Sequence, residues 1–298
     1  GSTPFFDVGG DHWASGYINA AVNAGIINGY ADGTFKPDEN VTLAQAITIM
    51  LRLLDYRSED IKGLWPDSYM KKTQTMGLLE GVHFGYSDVI NRGTVAMLID
   101  RTLFSNVKSK VITTSDNTKT ESDKTLAEAA NLGTVKEYAV LGTNGIDPTI
   151  PPGKVRTDSG DFKISNAIMD KYVGSRVKLA VNSAGEVAAM GGVTSRGSRM
   201  IVDSVVGNDM KYFQGSAENT VNIPDALTVY YLGARKTFKD VKPNIVQGSA
   251  FILAKLTGSS GYDFGILLDS AMDGPTIAAR DVTPTDKSIG DLDISGAT

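Results

Sequence analysis

The first hundred residues of the chain contain one pattern twice. Residues 12–30 and 64–82 align with a shift of 52 positions, which superimposes a tryptophan, a tyrosine and two glycines. Residues 41–54 then match 90–103 with a shift of 49, so the loop of the second copy is three residues shorter. A repeat at this spacing is typical of a supersecondary unit that stacks on a copy of itself to bury a shared core.

Each copy predicts a helix, a loop and a second helix. In the first copy, Asp11 is the predicted cap of the first helix, and Gly25 stands where a residue in the left-handed conformation would end it. The predicted apolar side of this helix consists of Trp13, Tyr17, Ile18, Ala21 and Val22. We therefore expect Trp13 and its counterpart Trp65 to pack between helices; the alternative is an exposed aromatic platform for a ligand.

The second helix of each copy has a cap and an apolar stripe. Thr42 and Gln45 form the T-x-x-Q pattern of a capping box, and Asn91 is the predicted cap in the second copy. The stripe predicted in the first copy consists of Ile47, Met50, Leu51 and Leu54, at the spacing of one helix face. The residues predicted to face inward in the second copy are Val95, Leu98, Ile99 and Leu103.

Arg92 stands at the first helical position after Asn91. A cation there opposes the helix dipole, at a cost of about 0.3–1 kcal/mol. One interpretation is a solvated arginine that tolerates this cost. The other is an anion site, at which Arg92 and the free backbone N–H groups of the helix start converge on one ligand.

The composition excludes several classes of function. The 298 residues include no cysteine, which rules out disulfides and thiolate chemistry, and only two histidines, His12 and His83. The net charge of -5 gives no basic field for nucleic acid. No apolar run approaches the ~20 residues that span a membrane. No phosphate-binding loop or nucleophile elbow is present, so we predict no cofactor and no enzyme activity.

The repeat resembles the S-layer homology (SLH) domain. The residues that carry the resemblance are Phe6-Asp7-Val8, His12-Trp13-Ala14, Gly25-Ile26-Ile27, Gly29-Tyr30 and Asp32-Gly33-Thr34-Phe35-Lys36-Pro37. Residues 56–105 resemble a more divergent copy. The resemblance implies a secreted protein of the bacterial cell wall or S-layer, mostly of Gram-positive types. It also implies noncovalent binding to a secondary cell-wall polymer, typically pyruvylated.

The family's binding arginine lies in a T-R-A-E motif at the start of the second helix. The matching tetrads here begin at Thr42 and Asn91, and only the second keeps the arginine, since Leu43 replaces it in the first. The candidate polymer-binding residues are Arg92, Trp65, Trp13, Gly29 and Asp32. A turn-forming role is the alternative for Asp32. SLH repeats commonly occur in threes; two are visible here, and the sequence leaves open whether a third exists.

The sequence pattern changes from helical repeats to a polar segment and then to short β-rich runs after residue 105. Residues 106–125 are polar and form a predicted linker, with VITT as a candidate strand, and residues 126–298 alternate short β-rich runs with turn signals. The candidate strands are 135–141, 161–165, 176–181, 186–193, 199–206, 210–215, 220–223, 227–232, 250–256 and 262–269. We expect an α+β chain with separate domains: repeats at 1–55 and 56–105, then an all-β region of small barrels or a sandwich.

The function predicted from these features is noncovalent anchoring to wall polymer, with the β region as a spacer or as an assembly module that self-associates on the cell surface. A second hypothesis is a degenerate SLH pair that serves only as a structural or oligomerisation module. A third, a wall-acting hydrolase, requires a cleft with convergent carboxylates.

Overall fold

The computed structural model describes residues 2–108, 111–113, 119–121, 123–147, 149–164, 167–214, 217–256 and 260–268. The helices are α1 (Ser15–Asn23), α2 (Leu43–Leu53), α3 (Asp67–Thr75), α4 (Arg92–Leu103), α5 (Leu126–Ala129) and α6 (Phe238–Val241). The strands are β1 (Val111–Thr113), β2 (Lys119–Glu121), β3 (Thr134–Thr143), β4 (Lys154–Thr157), β5 (Gly160–Lys163), β6 (Arg176–Val181), β7 (Val187–Val206), β8 (Asp209–Gln214), β9 (Ala217–Asn222), β10 (Thr228–Tyr231), β11 (Ala234–Thr237), β12 (Ala250–Leu256) and β13 (Tyr262–Leu267).

The predicted helix-loop-helix repeat is confirmed. Helices α1 and α3 are both nine residues long and begin 52 positions apart, and α2 and α4 begin 49 apart. Gly25 and Gly77 have φ of 67° and 72°, so both first helices end in the left-handed conformation that glycine adopts without strain.

The caps follow the sequence signals with one exception. The Thr42–Gln45 capping box forms at the start of α2, and the Asn91 side chain accepts a hydrogen bond from the Thr94 N–H at the start of α4. Asp11 was wrongly predicted as a cap, because α1 begins four residues later with Ala14 in the cap position and no side-chain hydrogen bond.

The helical core is built around α2. This helix packs against α3 and α4, both from the second repeat, and all four residues of its predicted stripe are buried. The shared core contains Leu43, Ala46, Ile47, Met50, Leu51, Ile61, Tyr69, Ile90 and Leu98. Helix α1 instead contributes Ile18 to a separate small cluster, which also contains Phe5 and Val8.

Some residues predicted to lie in the helical core are exposed. The side chains of Trp13 and Tyr17 are 83% and 76% exposed, and Trp65 is about half exposed. Trp13 precedes the first turn of α1, and the small Phe5 cluster takes only Ile18 of the helix into its buried centre. In α4, Ile99 is exposed, and the buried residues are Thr94, Leu98 and Thr102. These three are four positions apart, so they form a buried face that leaves Ile99 outside.

An arginine joins the two halves of each repeat in the same way. Arg52 Nη1 donates to the Ile26 carbonyl at 3.1 Å, and Arg101 Nη1 donates to the Leu78 carbonyl at 3.0 Å. Arg57 adds a third such bond, to the Gly25 carbonyl at 2.9 Å. These donors bond to carbonyls in the short segments that follow the ends of α1 and α3.

The described part of residues 106–125 is anchored at both ends. The Lys108 N–H donates to the Leu54 carbonyl at 2.8 Å, and its ammonium pairs with Asp60. Strands β1 and β2 form an antiparallel pair, so the candidate strand VITT is confirmed over Val111–Thr113; its last residue lies outside the described residues. Thr125 caps α5 in a second capping box.

The chain divides into two compact units. The first contains residues 1–140, 157–166 and 175–195, and thus all four repeat helices together with β6 and the first part of β7. Within it β6 pairs antiparallel with β3 and with β7. Helix α4 lies on β7, where a Cβ at Gly191 would stand 2.2 Å from Asp100 Oδ1 and 2.6 Å from the Phe104 ring.

The second unit contains residues 141–156, 167–174 and 196–298. The end of β7 pairs antiparallel with β8 and β8 with β9, while β12 pairs antiparallel with β13 and β13 parallel with β10. Its core includes Phe238 and Phe251, whose ring centroids are 6.2 Å apart. Among the described residues, no helix has the length and apolarity to cross a membrane.

The β-rich prediction is confirmed in outline. Strands β6 and β12 have the predicted bounds, but 186–193 and 199–206 belong to the single strand β7. The polar residues between them remain in the ladder because Ser195 is buried and its hydroxyl accepts from the Arg176 N–H at 3.1 Å. Strands β4 and β11 were missed because they are short and rich in Lys, Arg and Thr. The division into separate domains stays a prediction, and so does the arrangement of the β region as small barrels or a sandwich.

Candidate functional site

A groove of about 490 Å³ lies between the loop of the first repeat, α2 and the start of α3. Its lining residues are Ile27, Asn28, Gly29, Tyr30, Phe35, Lys36, Pro37, Glu39, Asn40, Val41, Gln45, Thr48, Ile49, Arg52, Trp65 and Tyr69. Two of the predicted site residues, Gly29 and Trp65, are among them. The groove therefore joins a loop of the first repeat to an aromatic residue of the second.

The aromatic surface of this groove is held in place by side-chain hydrogen bonds. Trp65 Nε1 donates to Thr48 Oγ1 at 3.1 Å, and Gln45 Nε2 donates to the Tyr30 hydroxyl at 2.9 Å. The Lys36 ammonium lies 4.6 Å from the centroid of the Tyr30 ring. The groove thus presents two oriented rings beside a cation, an arrangement suited to a sugar that carries an acid group.

Asp7 positions the loop that carries this cation. Its carboxylate accepts the N–H groups of Phe35 at 2.8 Å and Lys36 at 2.7 Å. These bonds, the one from Phe35 above all, hold the pKa of Asp7 below its usual value. Lys36 has φ of 59°, a conformation that lysine rarely adopts, so the Asp7 bond stabilises strained backbone. Asp7 was among the residues of the family resemblance but was not predicted as a site residue.

Gly29 shapes the wall of the groove through its backbone. Its φ is 69°, and a Cβ there would lie 2.2 Å from the Phe5 ring and 2.8 Å from the Thr34 carbonyl oxygen. The next N–H, of Tyr30, donates to that same carbonyl at 2.8 Å. Any residue with a side chain at position 29 would separate these two segments of the loop.

Arg52 supplies a second cation at the groove. It is half-buried, and one of its terminal nitrogens is engaged with the Ile26 carbonyl. A guanidinium carries five N–H donors, so the bond to Ile26 leaves capacity for a ligand on the groove side. The sequence offered no signal for Arg52 as a site residue, because it stands near the end of α2, ten positions after the Thr42 cap.

Two other predicted residues lie outside the groove. Trp13 is exposed and stacks on His12, with ring centroids 5.9 Å apart. Asp32 closes a turn, where its carboxylate accepts the hydroxyl of Thr34 at 2.6 Å and the N–H of Thr34 at 3.0 Å. These bonds, led by the hydroxyl, lower the pKa of Asp32. The hydrogen bonds of Asp32 are therefore those expected of a turn-forming residue.

Arg92 also lies outside the groove, at the first position of α4, with its side chain exposed. The position was predicted correctly. Helix α2 begins differently, because the N–H groups of Leu43 and Ala44 donate to the carbonyls of Asp88 at 3.0 Å and Tyr86 at 2.9 Å. The chain itself thus occupies the helix start that lacks the arginine. For α4, no such bond from the first two N–H groups is seen among the described residues.

The described residues contain no cluster of His, Asp and Glu that could hold a metal ion. Burial raises the pKa of Asp100, and this carboxylate lies against β7, where it accepts the Gly192 N–H. The raised pKa is thus explained by helix packing.

Comparison with known proteins finds a family match in the first repeat. The sequence model of the S-layer homology domain matches residues 4–47. A cell surface protein of Thermoanaerobacter kivui is 27% identical over 95% of this chain and 35% of its own length. S-layer protein EA1 of Bacillus anthracis is 30% identical over 36% of this chain and 14% of its own length. A cellulosome-anchoring protein of Acetivibrio thermocellus is 28% identical over 34% of this chain and 26% of its own length. The chain thus spans about a third or less of these relatives.

Proposed function

We propose that this chain belongs to a non-catalytic surface protein of the bacterial cell envelope, secreted and held on the cell wall or S-layer. Its SLH repeats bind a secondary cell-wall polymer noncovalently, and the β region serves as a spacer or assembly module. The observation that carries the proposal is the groove with Trp65, Tyr30, Lys36 and Arg52, formed largely by the segment that matches the SLH domain. The names of the similar surface and anchoring proteins support it.

The groove suits a pyruvylated sugar for two physical reasons. A pyruvyl ketal presents a carboxylate, which the ammonium of Lys36 and the guanidinium of Arg52 attract. The C–H face of a sugar ring packs on an aromatic ring, and the exposed part of Trp65 provides one. Arg92 is a second proposed contact, at the one repeat helix start where the motif arginine is kept. The other three candidate residues are not direct contacts in this proposal. Gly29 forms part of the groove wall through its backbone, Asp32 forms a turn, and Trp13 is exposed outside the groove.

The test is co-sedimentation of the chain with purified wall polymer, before and after mild acid removes the pyruvyl ketals. We expect binding to the intact polymer and its loss after the ketals are removed. Lys36→Ala should weaken binding about 10- to 100-fold, because a charged hydrogen bond is worth about 1.5–3 kcal/mol. Lys71→Ala is the matched control, since Lys71 is an exposed lysine of α3 outside the groove.

The same assay separates the two proposed contacts. Trp65→Ala reports on the groove and Arg92→Ala on the start of α4. Equal binding by Arg92→Ala and the unchanged chain would remove Arg92 from the site. Equal binding by Lys36→Ala, Trp65→Ala and the unchanged chain would remove the groove.

The second candidate function is a structural module without polymer binding. Two observations favour it: carbonyls of the second repeat cover the start of α2, and Leu43 replaces the arginine there. In this case the chain would not sediment with any wall fraction, whether or not the ketals are intact. Neither candidate function requires catalysis, and the family match and the surface-protein relatives favour a structural role.

A further inference from the structure

A second cavity adjoins the groove. It has a volume of about 490 Å³ and lies beside the end of α1 and the segment that follows α2. Asn28, Arg52 and Tyr69 line both the groove and this cavity, which we call the polar pocket. A polymer unit that leaves the groove past Arg52 therefore enters the polar pocket directly.

The polar pocket offers hydrogen-bonding groups where the groove offers aromatic rings. The residues that line only the polar pocket include Asn23, Ser58 and Glu59, and all three are exposed. Their amide, hydroxyl and carboxylate groups can donate to and accept from the hydroxyl groups of a sugar. Among the described residues, Tyr69 is the one aromatic side chain that lines both cavities, and it is buried.

The charges at the two cavities also differ. The groove has two cations beside one carboxylate, and this excess suits an acid group. The polar pocket shares Arg52 and adds Arg57, but Arg57 Nη2 lies 3.3 Å from Asp55 Oδ1 and Glu59 contributes a further carboxylate. Two carboxylates thus balance the two arginines. The polar pocket therefore suits a neutral, hydroxyl-bearing group better than a second acid.

Hydrogen bonds hold the walls of the polar pocket in place. Arg57 Nη1 donates to the Gly25 carbonyl at 2.9 Å, which fixes the segment after α2 to the end of α1. The Arg57 N–H donates to Asp60 Oδ2 at 2.8 Å and begins the short 3-10 turn Ser58–Asp60, which carries two of the pocket's polar side chains. A ligand therefore meets a pre-formed wall, and binding costs little reordering of this segment.

We propose that the polar pocket binds the neutral sugar unit next to the acidic unit in the groove, so that the chain recognises two successive units of the polymer. This inference rests on the proposed function of the groove. The rings and cations of the groove select the unit that carries the acid, and the polar pocket bonds the hydroxyl or acetamido groups of its neighbour. Two or three such hydrogen bonds give about a tenfold gain in affinity.

Calorimetric titration of the full chain with three synthetic ligands tests the inference. The ligands are a pyruvylated hexosamine and the two disaccharides that extend it by one neutral N-acetylhexosamine on either side. We expect all three to bind, and one disaccharide to bind about tenfold more tightly than the monosaccharide. Equal affinities for all three would overturn the inference and leave the function of the groove intact. Absence of binding by all three would contradict the proposed function, and this inference with it.

A pair of variants assigns the gain to the polar pocket. Asn23→Ala/Glu59→Ala should reduce the affinity for the tighter disaccharide to that for the monosaccharide, which itself should bind unchanged. Both side chains are exposed, so the melting temperature should also stay the same. Gln74→Ala/Glu80→Ala is the matched control, at exposed positions outside both cavities, and should keep the full gain. A gain that survives in the pocket variant would overturn the inference.

A fourth ligand tests the chemistry of the second unit. A disaccharide that extends the pyruvylated unit by an acidic sugar should bind no more tightly than the monosaccharide, because Glu59 repels a second acid and Asp55 already pairs with Arg57. A gain of about tenfold or more with the acidic unit would contradict the assignment of the polar pocket to a neutral sugar.

Discussion

The first and second repeats have the same order of helices and opposite patterns of exposure. Their first helices have equal length and their second helices start with capped N-termini, yet α3 contributes Tyr69 to the core while α1 leaves Tyr17 in solvent. In the second helices the pattern is reversed, because α2 is buried on its Met50 side and α4 is exposed there. A duplicated sequence thus gives equal elements but unequal neighbours, and the unequal neighbours determine which residues are free to bind.

The largest effect is expected where the motif arginine was lost. Leu43 is fully buried, so Leu43→Arg removes a core side chain and places a cation in the helical core. We expect a loss of about 3–5 kcal/mol in the free energy of unfolding. The mirror change, Arg92→Leu, is at an exposed helix start and should alter stability by no more than about 0.5 kcal/mol. Urea denaturation of both variants measures the difference; similar losses would mean that the two helix starts are equivalent after all.

The next effect concerns a glycine that both repeats share. Gly29 and Gly81 have φ of 69° and 68°, but a Cβ meets the Phe5 ring and the Thr34 carbonyl only at Gly29, with no atom within 4 Å at Gly81. Alanine at either position has the strain of the left-handed conformation, about 1–2 kcal/mol. The clash should add about 1–2 kcal/mol more for Gly29→Ala. Thermal melting of the two variants gives the comparison, and equal melting temperatures would contradict it.

A smaller effect is expected from the equivalent arginines Arg52 and Arg101. Each donates to a carbonyl three residues beyond the end of the preceding helix, so Arg52→Met and Arg101→Met should each cost about 1–2 kcal/mol of stability. Only Arg52 lines the groove, so only Arg52→Met should also weaken polymer binding. Denaturation and co-sedimentation together separate the roles. An equal loss of binding in both variants would indicate that folding of the repeats, rather than the groove, limits binding.

The smallest effect is expected at Asp100, which stands where the first repeat has the buried Leu51. Burial raises the pKa of Asp100. The folded state therefore binds more protons than the unfolded state between the usual carboxyl pKa and the raised one, and Asp100 destabilises the fold progressively as the pH rises through that window. Asp100→Asn should remove this dependence while its amide oxygen still accepts the Gly192 N–H. Unfolding free energies at pH 4 and pH 7 test it: an unchanged pH dependence in the variant would contradict the assignment.

The sequence predicted the local structure of the repeats well because local signals determine it. The Thr42–Gln45 box, the Asn91 cap and the left-handed Gly25 depend on residues within one helical turn, and all were confirmed. Burial of Trp13 depends instead on whether another helix packs over it. Helical periodicity identifies an apolar side but does not say whether another helix covers it, and so the prediction was wrong there.

The groove shows a similar limit for the candidate site. Trp65 and Gly29 could be proposed from the sequence because they belong to the repeated pattern, and both line the groove. Lys36, Gln45 and Arg52 come together with them only because α2 packs against the start of the second repeat, and Asp7 holds the loop from 29 residues away. A single sequence does not show which residues far apart along the chain come into contact. In the β region, the short charged strands β4 and β11 lack the alternation on which strand prediction depends.

The contact between α4 and β7 has a mechanical consequence. Asp100 and Phe104 lie against Gly191, a place on the strand where any side chain would collide with them, and the Gly192 N–H bonds to the Asp100 carboxylate. A force that pulls β7 away from α4 would therefore have to break this close contact and its hydrogen bond. The glycine lets helix and strand lie this close, so a larger residue at 191 would weaken the resistance of the contact to such a force.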